Sequence, residues 1–232
     1  MTVPGIITTA HALSYYERLQ EVTANNLANV STDGFKLQRL AATSSGNSQY
    51  PVALEQIDLS QGQIHDTGRD LDVALRGPGF LVTETAHGAR LMRGGSLHLD
   101  VSGRIVDDQG SPVLGARGPI VLPNGASISI HADGTVLVDG TAVDQLRVDN
   151  VADPSKLKEE GGGRFSFSGT LTPVNPAATT VQQGAVEQPN SDAVLGMVDL
   201  VTIQRAYAAN VDAIKAMDGV LDTVAGQIGQ TP

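Results

Sequence analysis

From about Asp192 to Ile228 the chain runs without a proline, and helix-forming residues dominate it. Val194, Val201 and Ala208 recur at seven-residue steps, and Ile214, Leu221 and Ile228 do the same after a slip of one residue. Met197, Val211 and Val224 fill the positions between. A near-seven period belongs to a helix that packs with slight supercoil against other helices. At ~1.5 Å per residue the segment spans roughly 55 Å, long for an element of a compact domain. Gly196, Gly219 and Gly226 weaken it or admit a close neighbour.

A second helical pattern opens the chain, over residues 5–30. Pro4 suits a first turn, where its missing N–H costs nothing. Ile6, Ala10, Leu13, Tyr16, Ala24 and Leu27 share one face, interrupted by Glu17 and Gln20, while Leu19 and Val22 lie off it. Apolar groups on more than one stripe mark a helix with several neighbours. Two such helices at opposite ends of a chain predict an antiparallel pair at one end of a rod-shaped molecule. Two ordinary core helices are the plainer alternative.

Between them the pattern changes to short alternating runs. Leu71–Leu75, Gly79–Thr83, Ser96–Asp100, Arg104–Val106, Pro112–Leu114, Pro119–Leu122, Ser127–Ile130, Thr135–Val138 and Gln145–Val148 read as strands. The dipeptides Ser102-Gly, Gln109-Gly, Asn124-Gly, Asp133-Gly and Asp139-Gly supply the positive-φ positions of tight turns. With aromatics at 3% and no Trp, the core is expected to be Val, Leu, Ile and Ala. The fold class is therefore α+β: N- and C-terminal helices (1–35 with 190–232), connectors at 36–63 and 170–189, and a central antiparallel all-β domain at 64–169. The first connector includes the polar stretch Thr43–Gln49.

Chemistry is hard to place on this chain. A net charge of −10 argues against nucleic acid as a partner. Cysteine is absent, which removes disulfides, thiolate metal sites and thiol nucleophiles. His11, His65, His87, His98 and His131 are scattered, with no pair at metal-ligand spacing. No nucleophile elbow or phosphate-binding loop is present. Asp70 with Asp72, and Asp107 with Asp108, are the available carboxylate pairs; the former would share one face of a strand. The expectation is no catalytic residue, no metal, no cofactor and no small-molecule substrate. The N-terminus lacks the basic segment and apolar run of a secretory signal.

Several segments nonetheless carry a pattern. Asn25-Asn-Leu-Ala-Asn-Val-Ser-Thr-Asp-Gly-Phe-Lys36 resembles the signature of flagellar rod and hook proteins. Arg69–Leu81, Arg93–Leu97 with Asp100–Val106, and Pro112–Gly115 with Gly118–Pro123 resemble further motifs of that family in order, and so does Asp192–Asn210. Gly94 stands where Asp or Asn is usual, and Gly196 where Glu is usual.

The resemblance implies that the terminal helices form an antiparallel coiled-coil layer of a helical tube, with the β domain outside. It implies export through the flagellar type III apparatus without signal cleavage, and a rod spanning the periplasm. The implied partners are copies of itself and the other rod subunits, proximal and distal. In the free subunit the terminal helices are then expected to be poorly ordered. Asn25, Asn26, Asn29 and Phe35 at the first helix end, with Met197, Val201, Gln204, Arg205 and Tyr207 on the last, are the expected assembly contacts. The apolar members serve equally well in packing within the chain. Gln204, Arg205 and Tyr207 are the stronger assembly contacts, because polar groups in a helical bundle need specific partners.

A subunit of hook size is expected to carry additional outer domains, which are not expected within these 232 residues. The short connector at 41–63 and the run Gly118–Thr135 favour the proximal over the distal rod. The alternatives from other classes are a peptidoglycan-remodelling periplasmic enzyme, which lacks a catalytic constellation, and an adhesin or export chaperone.

Overall fold

The computed structural model describes residues 4–43, 52–123, 125–175 and 177–228. The chain divides into two compact units: Met1–Ala28, Gln38–Gln56 and Asp192–Pro232 in one, Asn29–Leu37 and Ile57–Ser191 in the other. The fold is α+β, with one helix near each end of the chain and a large antiparallel β unit.

In the first unit, helix α1 spans Pro4–Ala28 and helix α2 spans Ala193–Ile228. Asp192 caps α2, its carboxylate accepting from the N–H groups of Val194 (2.8 Å) and Leu195 (3.1 Å). The helices pack against each other in opposite directions. A Cβ on Gly5 would meet Met217 Sδ at 3.5 Å, and one on Gly196 would meet Leu27 Cδ1 at 3.8 Å. Midway between these points, the Tyr207 hydroxyl donates to Glu17.

The segment expected to be a plain connector carries two strands, Gln38–Thr43 and Val52–Ile57, paired with each other. The first packs on α1, and Arg18 of α1 holds Glu55 of the second. This shifts the covered face of α1. Val22 is buried and Leu19 half-buried, whereas Ala10 and Ala24 of the expected stripe are exposed. A helix covered by a strand as well as by a helix has two inner faces, which is where Leu19 and Val22, the apolar residues lying off the main stripe, are used. The Ile6, Val224 and Ile228 side chains of the expected patterns, and most of the polar stretch after Thr43, lie outside the described residues.

The β unit is organised by a six-stranded antiparallel sheet. Its order is 157–161, 164–167, 88–92, 80–85, 148–151 and 171–173. Strand Phe80–Thr85 shows how the core is built. Leu81 joins an aliphatic cluster with Val73, Leu75, Ile105, Val113 and Val136, while Phe80 and Val82 join a second cluster with Leu91 and Phe165. Alternate residues on a strand point to opposite faces, so one strand feeds two cores. Phe80 and Phe165 meet edge-to-face at 5.8 Å between centroids.

The turn dipeptides do their work here. Asp139 (φ 48) and Gly140 (φ 81) both take positive φ, as a type I′ hairpin requires between strands 135–138 and 141–145. Asn124 lies outside the described residues. The stretch 170–189, expected to be a connector, contributes strands instead. Thr180–Gln183 pairs with Asp72–Arg76, and Ala185–Glu187 pairs with Ile64–Asp66. Their polar, glycine-broken sequence hid them, because a strand bordered by Gly184 leaves little alternation to read.

Candidate assembly surface

The residues expected to make assembly contacts fall into two groups. At the end of α1, Asn26 is buried and its amide is spent within the subunit. Nδ2 donates to Gln38 O at 2.8 Å, and Oδ1 accepts from Gln38 N–H at 2.9 Å. That pair of bonds docks the outgoing strand onto the helix. Asn25 is half-buried on the same turn. In the β unit, Asn29 closes a turn, its carbonyl accepting from Thr32 N–H at 3.0 Å and its side chain from the Thr32 hydroxyl at 3.2 Å. Phe35 is wholly buried. Asn26 and Phe35 thus serve the subunit's own fold, and neither side chain is open to a neighbour.

The second group lies on α2 and is mostly outward-facing. Along one stripe Ile203 is buried and Gly196, Leu200, Tyr207, Asn210, Ile214 and Met217 are half-buried. On other sides of the same helix Val194, Leu195, Met197, Val198 and Val201 are exposed, at 68%, 64%, 53%, 57% and 47%. Gln204 and Arg205 are also exposed. Tyr207 is half-buried, and its hydroxyl is held by Glu17 at 3.1 Å, which raises its pKa. Farther along, Ala213, Ala216, Met217, Val220 and Leu221 line an open apolar groove of about 440 Å³. A monomeric soluble protein rarely leaves such a continuous apolar face in water.

The carboxylate pairs do not form an acid–base site. Asp70 sits in a turn before the strand begins, and Asp72 is buried. Asp72 accepts from the Thr67 hydroxyl at 2.5 Å and from Arg69 Nε at 2.9 Å. Asp107 is likewise buried, both its oxygens accepting from one edge of the Arg164 guanidinium (Nε and a terminal nitrogen), while Asp108 is exposed. The arrangement is structural: buried carboxylates satisfied by arginine and turn N–H groups.

One cluster escaped sequence reasoning. Glu187 is fully buried in the β unit, with Lys36 Nζ 2.5 Å from Oε1, Arg93 Nε 3.1 Å from Oε2, and Gly62 N–H donating to Oε1 at 2.8 Å. Lys36 also donates to Ser60 O at 2.7 Å. Arg93 donates to the carbonyls of Gly77 (2.9 Å), Leu75 and Gly79 and stands over the Phe80 ring. Burial pushes the Lys36 ammonium below the usual lysine range, against the pull of Glu187. Lys36 and Arg93 lie inside the motifs read from the sequence. Glu187 lay in a weakly patterned stretch, so nothing signalled that it joins them.

These features describe an α+β chain whose buried carboxylates serve its own fold and whose long C-terminal helix carries an exposed apolar face. Comparison with known proteins specifies it further. Residues 8–36 match the family described as "Flagella basal body rod protein", residues 74–138 "Flagellar hook protein FlgE/F/G D1 domain", and residues 182–227 "Flagellar basal body rod FlgEFG protein C-terminal". The chain is 34% identical to the flagellar basal-body rod protein FlgF of Escherichia coli, over 92% of this chain and 94% of that one. It is 30% identical to FlgF of Salmonella typhimurium, over 92% and 94%. It is also 30% identical to the flagellar basal-body rod protein FlgG of Buchnera aphidicola from Schizaphis graminum, over 94% and 97%. The chain belongs to the flagellar basal-body rod protein family and is a structural subunit of the basal-body rod, acting in motility with other basal-body components.

Proposed function

We propose that this chain is a proximal-rod subunit without catalytic activity. In this reading α1 and α2 enter a coiled-coil layer shared among subunits, and the β unit lies outside that layer. The partners are copies of itself and the adjoining proximal and distal rod proteins, in a shaft that crosses the periplasm. Delivery is through the flagellar type III apparatus, unfolded and without signal cleavage.

The observation that carries the reading is the exposed apolar face of α2, Val194 to Val201, on a helix matched to the rod family's C-terminal segment. Contacts of heterologous type that do not close into a ring propagate a helix, which is how such a face builds a shaft. The run Gly118–Thr135 and the short 41–63 connector favour the proximal position. Relatives named FlgF and FlgG both align over most of the chain, so the distal position is the second reading. Asn25, Asn29, Met197, Val201, Gln204, Arg205 and Tyr207 stand as the residues of contact.

The test is deletion of the gene, followed by electron microscopy of purified basal bodies and a swimming assay. The expected result is non-motile cells whose basal bodies stop before the distal rod. Intact rods in swimming cells would overturn the reading. Clearing of a peptidoglycan layer by the purified protein would overturn the non-catalytic part of it.

A further inference from the structure

The backbone passes between the two units at four peptide bonds: Ala28–Asn29, Leu37–Gln38, Gln56–Ile57 and Ser191–Asp192. Under the rod-subunit reading α1 and α2 belong to the shaft and the β unit lies outside it. The covalent path for any load on the β unit is then these four bonds. What ties the incoming and outgoing segments together inside the β unit decides how that load enters it.

Three of those segments meet at Asn190. Its Oδ1 accepts from Leu37 N–H at 2.7 Å. Its Nδ2 donates to Asp58 O at 2.8 Å, to Ser60 O at 3.1 Å and to Ser60 Oγ at 3.0 Å. Asp58 N–H closes the ring by donating to Leu37 O at 2.8 Å. An asparagine amide has one carbonyl acceptor and two N–H donors, and here both ends are spent on distant parts of the chain. Leu37 lies 153 positions away in sequence and Asp58 132. Behind Asn190 lies a second row. Gly34 N–H donates to Glu187 O at 2.6 Å, Gln188 N–H donates to Gln63 O at 2.8 Å, and Ala185–Glu187 pairs with Ile64–Asp66. The Glu187 carboxylate adds Lys36 and the Gly62 N–H.

The first and last parts of the β unit are therefore bonded to each other. A pull from the C-terminal side comes through Ser191 and meets Asn190 before any core strand. A pull from the N-terminal side comes through Asn29 and meets Gly34, Lys36 and Leu37, which are bonded to Glu187 and Asn190. Both pulls end on the same group of bonds. Forced unfolding is governed by the barrier to unfolding, so the bonds that break first set its rate. We propose that Asn190, with Leu37, Asp58 and Ser60, is the load-bearing clasp of the β unit, the contact that force entering along the chain from the helices must break first. The proposal rests on the reading that the helices enter the shaft, and it names where the subunit carries the shaft's load.

The test is to hold the full chain at constant force in an optical trap, first by handles on its two ends. The chain contains no cysteine, so the handles can be moved by introducing Val101→Cys and Thr141→Cys, both at exposed positions within the β unit. Pulled from its ends, Asn190→Ala is expected to shorten the lifetime of the β unit about tenfold, the effect of about 1.4 kcal/mol on a barrier. Pulled from positions 101 and 141, where the load bypasses the clasp, the same variant is expected to shorten it less than about threefold. Equal shortening in the two geometries would show that Asn190 supports stability alone. No shortening from the ends would show that the clasp carries no load. Either result overturns the proposal.

A milder variant decides the matter where Asn190→Ala does not fold. Ser60 is exposed, and Ser60→Ala removes one acceptor of the Asn190 amide. It is expected to shorten the end-pulled lifetime about twofold to fivefold and to leave the lifetime between positions 101 and 141 unchanged. An unchanged end-pulled lifetime, or an equal loss in both geometries, would overturn the proposal in that case. The rod reading fails separately: if deletion of the gene leaves swimming intact, the shaft assignment is lost, whatever the trap shows of the clasp.

Discussion

Lys36 Nζ lies 2.5 Å from Glu187 Oε1, and solvent reaches neither side chain. Arg93 approaches the other oxygen of the same carboxylate. One buried anion therefore holds two cations, drawn from segments far apart in sequence. Ser60, Gly77, Gly79 and Leu75 carbonyls complete the cations' hydrogen bonds. Removing the anion leaves two buried positive charges facing each other, so Glu187→Gln is expected to destabilise the β unit by about 3–5 kcal/mol, the cost of breaking a buried ion pair from one side. Lys36→Met leaves Arg93 and Gly62 still bonded to Glu187 and is expected to cost less. Urea unfolding followed by circular dichroism compares them; equal midpoints for wild type and Glu187→Gln would show that the trio contributes no stability.

The same lysine sets a pH dependence. Burial lowers its folded-state pKa below the unfolded value of about 10.4. Between those two values the unfolded chain binds more protons than the folded one, so this group makes stability rise with pH through the window. Below the folded pKa that contribution is gone. Lys36→Met is expected to flatten the alkaline rise in the urea midpoint measured from pH 7 to 10.5. An unchanged slope would place the titration elsewhere.

Gly94 departs from the Asp or Asn expected of its motif, and the fold gives the reason. Its φ is +125°, and a Cβ there would lie 2.2 Å from Val73 O, the neighbouring strand's backbone. Putting the usual residue back is thus expected to harm this protein. Gly94→Asn combines positive-φ strain with a backbone clash and is expected to cost more than about 2 kcal/mol. A thermal melt reads it, and a wild-type midpoint would mean the strand pairing at 72–76 yields easily.

How much of this was legible follows from the kind of signal each part sends. The long helix was readable because nothing in 192–228 breaks it and its apolar residues recur regularly. The β unit was readable from runs such as Leu71–Leu75 and from glycine turns such as Asp139-Gly140. What stayed hidden depends on pairing between distant segments. Strand Thr180–Gln183 owes its state to Asp72–Arg76 across the sheet, and nothing in Thr-Val-Gln-Gln declares it. Glu187 looks like any surface acid until Lys36 and Arg93 are brought to it. Asn26 and Phe35 stand out through their motif, yet a motif does not say whether its residues face inward or outward. Here both face inward.

Asn26 offers a sharper test of that inward role. Its amide both donates to and accepts from the Gln38 backbone. Asn26→Asp keeps the acceptor for Gln38 N–H but replaces the donor with an oxygen facing Gln38 O. The expected loss is about 1–3 kcal/mol, the cost of replacing a donor by a facing oxygen at a half-buried carbonyl. Hydrogen exchange at the 38–43 strand is expected to quicken. Unchanged protection there would show that the strand is held by other means.

Val201 carries the opposite expectation. It is 47% exposed on α2, so exchanging its side chain for a small polar one removes little that the isolated subunit uses. Val201→Ser is expected to shift the subunit's thermal midpoint within the range of surface substitutions, about ±0.5 kcal/mol. Under the proposed assembly the same position becomes a packed contact in the shaft, and truncating a buried apolar side chain there costs about 1.5–3 kcal/mol at every copy. That loss recurs along a polymer and weakens the whole of it, so swimming is expected to fall sharply while the purified subunit melts as before. Val194→Ser, one heptad earlier on the same ladder, is expected to behave alike, and the two together to abolish swimming. If both variants swim normally, the exposed stripe of α2 is not a contact and the apolar groove at Ala213–Leu221 becomes the face to mutate. If instead the subunit itself melts early, these valines serve its own fold and their exposure has been misjudged.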